Sequence, residues 1–154
     1  MPIHLSLQQE INAPPERVFA TLTDLDAASK WMTNFVGIEK LTPDKVGVGM
    51  KWRETRKMYG QKASELFEVT GYEPNKTVEL YVDGTQGSSR RGYYRFRYQL
   101  EPRDGKTALT MTGEIGGLSK VMEFFGRLMV GSFKKAMTKD LEAMTRYIEG
   151  TRAS

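Results

Sequence analysis

The sequence contains no cysteine. That excludes disulfides, thiolate metal sites and cysteine nucleophiles, and it is compatible with a reducing cytoplasm. It holds one histidine, His4. One histidine without cysteine cannot build the usual zinc site, so no metal or other cofactor is expected. No stretch approaches the ~20 consecutive apolar residues of a membrane span, and Met1-Pro2-Ile3-His4 lacks the basic and long apolar regions of a secretory signal. Cytoplasmic residence is the expectation. Proline is absent from Ser119 to Glu149, and nothing in that run breaks a helix.

What remains is ordinary in amount. The chain has 154 residues, 39% hydrophobic and 27% charged, with a formal net charge of +4. That length fits one domain, 1–154, around one core. A basic balance can mean nucleic acid or an anionic membrane surface, but charges of both signs are interspersed, and a well-solvated surface explains them more simply.

The organising stretch is the last quarter. Leu118, Met122, Phe125, Met129, Phe133, Met137, Leu141, Met144 and Ile148 recur at steps of three or four, the spacing of one helical face. A helix over 119–149 is about 45 Å long at ~1.5 Å per residue. A short helix cannot cover such a stripe; a sheet can. Ile3, Leu5, Leu7, Gln9 and Ile11 alternate with polar residues, a half-buried strand. Pro14-Pro15-Glu16 then opens a short helix carrying Val18, Phe19 and Leu22, because proline is well placed in a first helical turn. Thr23 or Asp24 caps a second, with Leu25, Ala28, Trp31 and Met32. Further strands read as 36–41, 50–58, 62–72, 77–82, about 94–100 and 107–115, separated by Thr42-Pro43-Asp44, Tyr59-Gly60, Pro74-Asn75, the loop from Asp83 to Ser89, and Asp104-Gly105. The fold class is α+β: a seven-stranded curved antiparallel sheet wrapped around a long C-terminal helix, with two short helices between strands 1 and 2. Gly47 and Gly49 flank Val48 with no helix after them, so they read as a bend and not as a phosphate loop.

Several groups carry possible chemistry. Met50, Trp52, Glu54 and Arg56 share one strand phase, so if Trp52 faces the core Glu54 does too. A buried carboxylate needs a partner and could serve as a general base or orient a ligand; it could equally pair with Arg56, or face water. Tyr94, Phe96 and Tyr98 form an aromatic row, and a tyrosine hydroxyl inside a cavity seeks a partner. Gly126 and Gly131 lower helix propensity beside Phe125 and Met129, either loosening the helix near a cavity entrance or making room for close packing. His4 falls on the polar phase of the first strand. Arg90, Arg91, Arg95 and Arg97 with Tyr93 form a basic, aromatic cluster that Glu79 and Asp83 can neutralise. No nucleic-acid motif accompanies it, so no nucleic acid is expected as a partner.

The run Glu10-Ile11-Asn12-Ala13-Pro14-Pro15-Glu16-Arg17-Val18-Phe19, followed by Leu22-Thr23-Asp24, resembles the start of the helix-grip superfamily. That superfamily includes START domains, birch-pollen-allergen-like proteins and polyketide cyclase/dehydrase-like bacterial proteins, and the last group is the nearest. Glu68-Val69-Thr70-Gly71-Tyr72-Glu73-Pro74-Asn75-Lys76 looks like its fourth strand and turn, and Asp140-Leu141-Glu142 fits its terminal helix. The resemblance implies a sheet gripping the helix around a cavity for a small hydrophobic or amphipathic molecule, lipid included. It transfers no catalytic residue. Strand and helix phase nominate Trp52, Glu54, Phe67, Tyr94, Phe96, Tyr98, Phe125, Met129 and Phe133 as the ligand-binding walls. The alternatives are an enzyme of cyclase or dehydratase type, using Glu54 and a cavity tyrosine, and a protein-interaction module with a filled cavity. Stable membrane insertion is not expected, and the oligomeric state is left open.

Overall fold

The computed structural model describes residues 1–151; the last three residues of the expected 1–154 domain lie outside the described residues. The chain runs β1 (Ile3–Ile11), α1 (Pro15–Thr23), a 3-10 turn (Leu25–Ala27), α2 (Ala28–Trp31), β2 (Phe35–Lys40), β3 (Lys51–Met58), β4 (Gln61–Glu73), β5 (Thr77–Asp83), a 3-10 turn (Gly84–Gln86), β6 (Tyr93–Arg103), β7 (Lys106–Gly116) and α3 (Lys120–Thr151). The strands form one antiparallel sheet in the order β1-β7-β6-β5-β4-β3-β2. This is the expected seven-stranded α+β helix-grip architecture, with element ends differing by one to three residues, the most at the end of β6.

The sheet is a meander closed by its first strand, so β1 and β2 are its two edges. Register irregularities between Phe35 and Gly37 and between Val69 and Gly71 interrupt the ladders and increase local bending. At Gly71 an added Cβ would lie 3.0 Å from the Cβ of Glu79; the missing side chain lets β4 and β5 stay paired through the bend. Gly47 and Gly49 both take positive φ, +100° and +94°, in the loop before β3, which confirms a backbone bend.

The concave face collects the apolar phase of every strand. Leu5, Leu7, Trp52, Val69, Val78, Val82, Phe96, Leu100, Leu109 and Met111 join Val18 and Phe19 of α1 in one core. The long helix closes it. On one flank α3 runs beside β1. An added Cβ at Gly126 would meet Ile3 Cδ1 at 2.9 Å, and the Glu149 carboxylate accepts from the Asn12 N–H at 2.9 Å. Arg17 donates to the Ile148 carbonyl at 2.7 Å, a cation placed where the helix dipole is negative. On the other flank, Asp140 reaches Thr33, between α2 and β2.

The second half of the helix stripe is buried as expected: Leu141, Met144 and Ile148 are enclosed, with Phe133 and Met137 packed against the core. The first half departs. Phe125 and Met129 are 53% and 52% exposed. Steps of four advance an α-helix by 400°, so each drifts about 40° around the axis. From Phe125 through Met129, Phe133 and Met137 to Leu141 the steps are all four, and the stripe swings from the flank to the core. Gly126 makes room for β1, the packing role of the two considered. Gly131 has no atom within 4 Å of an added Cβ, so space does not explain it.

Two sets of substitutions test this arrangement by denaturant unfolding. Leu141→Ala or Met144→Ala should cost about 2–5 kcal/mol, the range for emptying a packed core site; Lys139→Ala and Glu142→Ala, on the exposed face, should stay within about 0.5 kcal/mol. Gly131→Ala should stabilise by roughly 0.5–1 kcal/mol, because alanine is the better helix former and meets nothing. Gly126→Ala should gain less, since Ile3 must shift. Equal gains at both glycines would contradict the close α3–β1 approach.

Candidate functional site

Strand alternation on β3 turns Trp52, Glu54 and Arg56 inward. Glu54 is 6% exposed and fully engaged. Its Oε1 accepts from Trp52 Nε1 at 3.3 Å, and its Oε2 accepts from Arg56 Nε at 2.8 Å. Of the alternatives open from sequence, the internal ion pair with Arg56 is the one found. Arg56 then reaches across to the helix and donates through Nη1 to Asp140 Oδ2 at 2.5 Å and to the Thr33 carbonyl at 3.4 Å. Asp140 Oδ1 accepts from the Thr33 N–H at 3.2 Å and its hydroxyl at 2.5 Å. Two carboxylates thus hold one guanidinium inside the fold. Burial works against the Arg56 charge, but Glu54 and Asp140 outweigh it and raise its pKa above the ordinary arginine value. Arg56 is a fixed cation at every working pH.

Tyr98 is buried close to this cluster. Burial pushes its hydroxyl pKa well up; the Asp140 and Glu54 charges add to the rise and Arg56 opposes it. The group therefore stays protonated and keeps a donor to offer. Its hydroxyl makes no hydrogen bond among the described residues; the side-chain atoms there that are both fully buried and unpartnered are Trp31 Nε1 and Glu65 Oε2.

An aromatic wall stands beside the charges. Trp52 stacks on Phe67 at 5.4 Å between centroids. Tyr94, Phe96 and Phe133 stack mutually at 5.9–6.2 Å, separations typical of offset aromatic pairs. Seven of the nine nominated side chains (Trp52, Glu54, Phe67, Tyr94, Phe96, Tyr98 and Phe133) thus belong to the concave face. Phe125 and Met129 do not reach that wall. Met129 lies eleven residues, about three turns, before Asp140, and so shares the flank of α3 that turns toward Thr33 and Arg56.

Sequence phase alone missed several polar members. Arg56 was seen only as a partner for Glu54, and Thr33 not at all. Asp140 carried a signal: it falls on the apolar spacing 133, 137, 140, 144, where a carboxylate needs a buried cation. Glu65, directly opposite Glu54 on β4, was also missed. Its Oε1 accepts from the Ser89 N–H at 2.8 Å and hydroxyl at 2.6 Å, which draws the 84–92 loop over the sheet. Ser89 Oγ in turn lies 3.2 Å from the Tyr94 hydroxyl. The convex basic cluster is engaged in part: Arg95 lies over Tyr81 and Tyr93 and pairs with Glu79 and Glu114 at 3.9 and 3.6 Å. His4 is exposed, 4.0 Å from Glu114.

A cavity of about 30 Å³ is lined by Leu22, Leu25, Met50, Trp52, Tyr72 and Leu80 among others, and of the nominated residues it touches Trp52 alone. A more open cleft of about 160 Å³ adjoins it, lined by Leu25, Lys40, Val46 and Met50 among others.

Residues 2–149 match the family described as polyketide cyclase / dehydrase and lipid transport. The chain belongs to that family. A search of curated proteins returns no match. Solved structures resemble it over nearly their whole length at low identity. The aromatase/cyclase ZhuI from Streptomyces sp. R1128 superposes with a TM-score of 0.79 at 14% identity, covering 97% of this chain and 94% of that one. Ara h 8.0201 gives 0.75 at 14%, covering 97% and 99%. A conserved protein from Geobacillus kaustophilus gives 0.73 at 22%, covering 97% of each. These likenesses establish the helix-grip fold. No helix among the described residues is long and apolar enough to cross a membrane.

The charge cluster makes a sharp stability prediction. Arg56→Met strands two buried carboxylates and should cost about 3–5 kcal/mol. The triple change Arg56→Met, Glu54→Gln, Asp140→Asn removes all three charges and should recover a substantial part of that loss in urea unfolding. If the triple variant is as unstable as the single one, packing of the Arg56 stem, and not charge balance, governs the site.

Proposed function

We propose that this protein binds a small hydrophobic or amphipathic molecule on the concave face, between the sheet and the first half of α3. The observation that carries this reading is Tyr98: a protonated hydroxyl on a buried side chain, with no hydrogen bond among the described residues, set between an aromatic wall and a charged cluster. Pockets for small molecules combine apolar walls with a few placed polar groups. Trp52, Phe67, Tyr94, Phe96 and Phe133 supply the wall; Tyr98 supplies the donor, and the Glu54–Arg56–Asp140 cluster fixes the field around it. The half-exposed Phe125 and Met129, on the flank of α3 that turns toward β3, suit a mouth that a ligand would line. Tyr94, Phe96 and Phe133 are stacked on one another, so a ligand must displace side chains there; Phe133 and the methionines can repack.

The same geometry argues against the catalytic alternative. Glu54 is tied through one oxygen to Trp52 and through the other to Arg56, which commits it to an internal ion pair instead of leaving it free to turn toward a substrate proton. Tyr98 holds its proton too firmly to act as a base. A protein-interaction module with a filled core is the second reading, and the stacking of Phe133 on Tyr94 and Phe96 is the observation on its side.

Probe titration separates them. A planar aromatic probe bearing a carbonyl or hydroxyl should bind saturably, and Tyr98→Phe should weaken it roughly 3–10-fold, the worth of one neutral hydrogen bond. A purely hydrocarbon probe of the same shape should be unaffected by that change. Absence of saturable binding with either probe would leave the interaction module as the better reading.

A further inference from the structure

The outward side of α3 changes character along its length. Leu128, Val121, Lys135 and Lys139 lie seven or eleven residues apart, so they share one face, and Phe124 is one turn from Leu128 on the same side. Nine residues separate Leu128 from Met137, which puts them on opposite sides of the helix. Because Met137 packs on the core, Leu128 points away from it. In the first three turns this outer face is apolar: Val121 is 64%, Phe124 60% and Leu128 65% exposed. In the next turns it becomes Lys135, Lys139 and Arg146, all exposed, with Glu142 as the one acid among them. Nothing in the internal site accounts for these outward side chains.

Charge is concentrated in the same place. From residue 120 to 139 the helix carries Lys120, Arg127, Lys134, Lys135 and Lys139 against Glu123 alone. That surplus equals the net charge of the whole chain, +4. Glu123 itself is turned toward Arg127 and the Met1 amine, at 3.3 and 3.0 Å, and these partners hold its pKa low. The acid is neutralised on the β1 side and leaves the outer face basic.

A second element repeats the pattern. The β3–β4 hairpin exposes Met58 and Tyr59, the latter 87%, between Lys57 and Lys62. Register places it with the start of α3. Ile3, Ile115, Tyr94, Val82, Phe67 and Trp52 form one row across the sheet. The hairpin tip and the β7–α3 junction both lie beyond that row, at the same end.

We infer that the outer face of the first half of α3, with the β3–β4 hairpin, docks on an anionic lipid surface. Phe124, Leu128 and Tyr59 enter the headgroup boundary, and Lys57, Lys62, Lys135 and Lys139 meet the lipid charges. A helix with an apolar face and basic residues lies in such an interface without crossing it, and basic side chains near the surface are drawn to anionic lipid. Exposed apolar side chains flanked by charge of one sign mark an interaction surface, and an anionic bilayer supplies both the apolar medium and the opposite charge. This inference does not rest on the internal ligand.

Sedimentation with vesicles tests it. The protein should pellet with phosphatidylcholine vesicles containing about a third phosphatidylglycerol, not with phosphatidylcholine alone, and raised salt should release it. Phe124→Glu and Leu128→Glu, at exposed positions and checked for folding by circular dichroism, should each weaken binding at least about tenfold. Lys135→Glu with Lys139→Glu should weaken it on anionic vesicles. Tyr98→Phe should bind vesicles as the unaltered chain does. Failure to pellet with anionic vesicles overturns the proposal, as does binding indifferent to the Phe124 and Leu128 changes. A dimer in sedimentation equilibrium that Leu128→Glu dissolves, without vesicle binding, assigns the face to a second copy instead.

Discussion

A carboxylate in the apolar stripe of a helix is a demand on the rest of the molecule. Asp140 sits between Met137 and Leu141, and burying it charged without a partner would be prohibitive. Arg56 answers from β3 and Thr33 from the α2–β2 junction. The three contacts fix the rotation of α3 about its axis, its height over the sheet and the position of the chain entering β2. Once Arg56 is committed inward, strand alternation commits Glu54 and Trp52 as well, and the two carboxylates share one cation, with Trp52 and Thr33 donating to their remaining oxygens. Hydrophobic burial supplies the larger driving force, but it is non-directional. The charged cluster contributes the registry that an apolar stripe on a curved sheet lacks.

Strands and the terminal helix were legible in the sequence because their periods are strong and local. Alternation from Tyr94 to Leu100 places Phe96 and Tyr98 inside whatever else happens, and the absence of proline from 119 to 149 leaves little doubt about a helix. The site was legible only in part, and for a physical reason. Phase tells which side chains share a face; it does not tell where along a long helix the sheet stops covering that face. Phe125 and Met129 were assigned by steps of four, whose small drift per step accumulates over several turns into a change of side. Glu54 shows the opposite limit. Its inward facing followed from Trp52, yet which cation would meet it depended on the χ angles of Arg56 and on a residue 84 positions away. Glu65 was hidden because its partner, Ser89, lies in a loop whose path is set by tertiary hydrogen bonds.

The helix is therefore two helices in function. From Phe133 onward, apolar atoms face the core and polarity faces water, apart from the buried Asp140 and Thr145, the arrangement of a covering helix. Before Phe133 the inner face is sparse: Gly126 gives up its side chain to let β1 approach, and the bulky residues stand on the flank and the outside. A segment so arranged gains less from burial per residue than the half that follows it. Local opening follows the least buried segments, so motion between α3 and the sheet should begin there and spare the Asp140 anchor. That is the segment a ligand must pass if it is to reach Tyr98.

The two faces of this segment then have a common logic. A concave site closed by Phe133 stacked on Tyr94 and Phe96 must open to admit a ligand, and opening exposes the aromatic wall to solvent, an unfavourable step in water. The same step beside a lipid surface exposes it to hydrocarbon and headgroups instead. An apolar outer face and hairpin at the end where the least buried half of α3 begins, ringed by lysines, would bring the opening segment against a medium in which its exposed side chains lose nothing. The charged cluster deeper in the fold keeps that opening local, because Asp140 can leave Arg56 and Thr33 only by becoming a solvated ion while Glu54 and Arg56 remain paired behind it. The position of Asp140, about three turns behind Met129, thus sets how far along α3 the site can open.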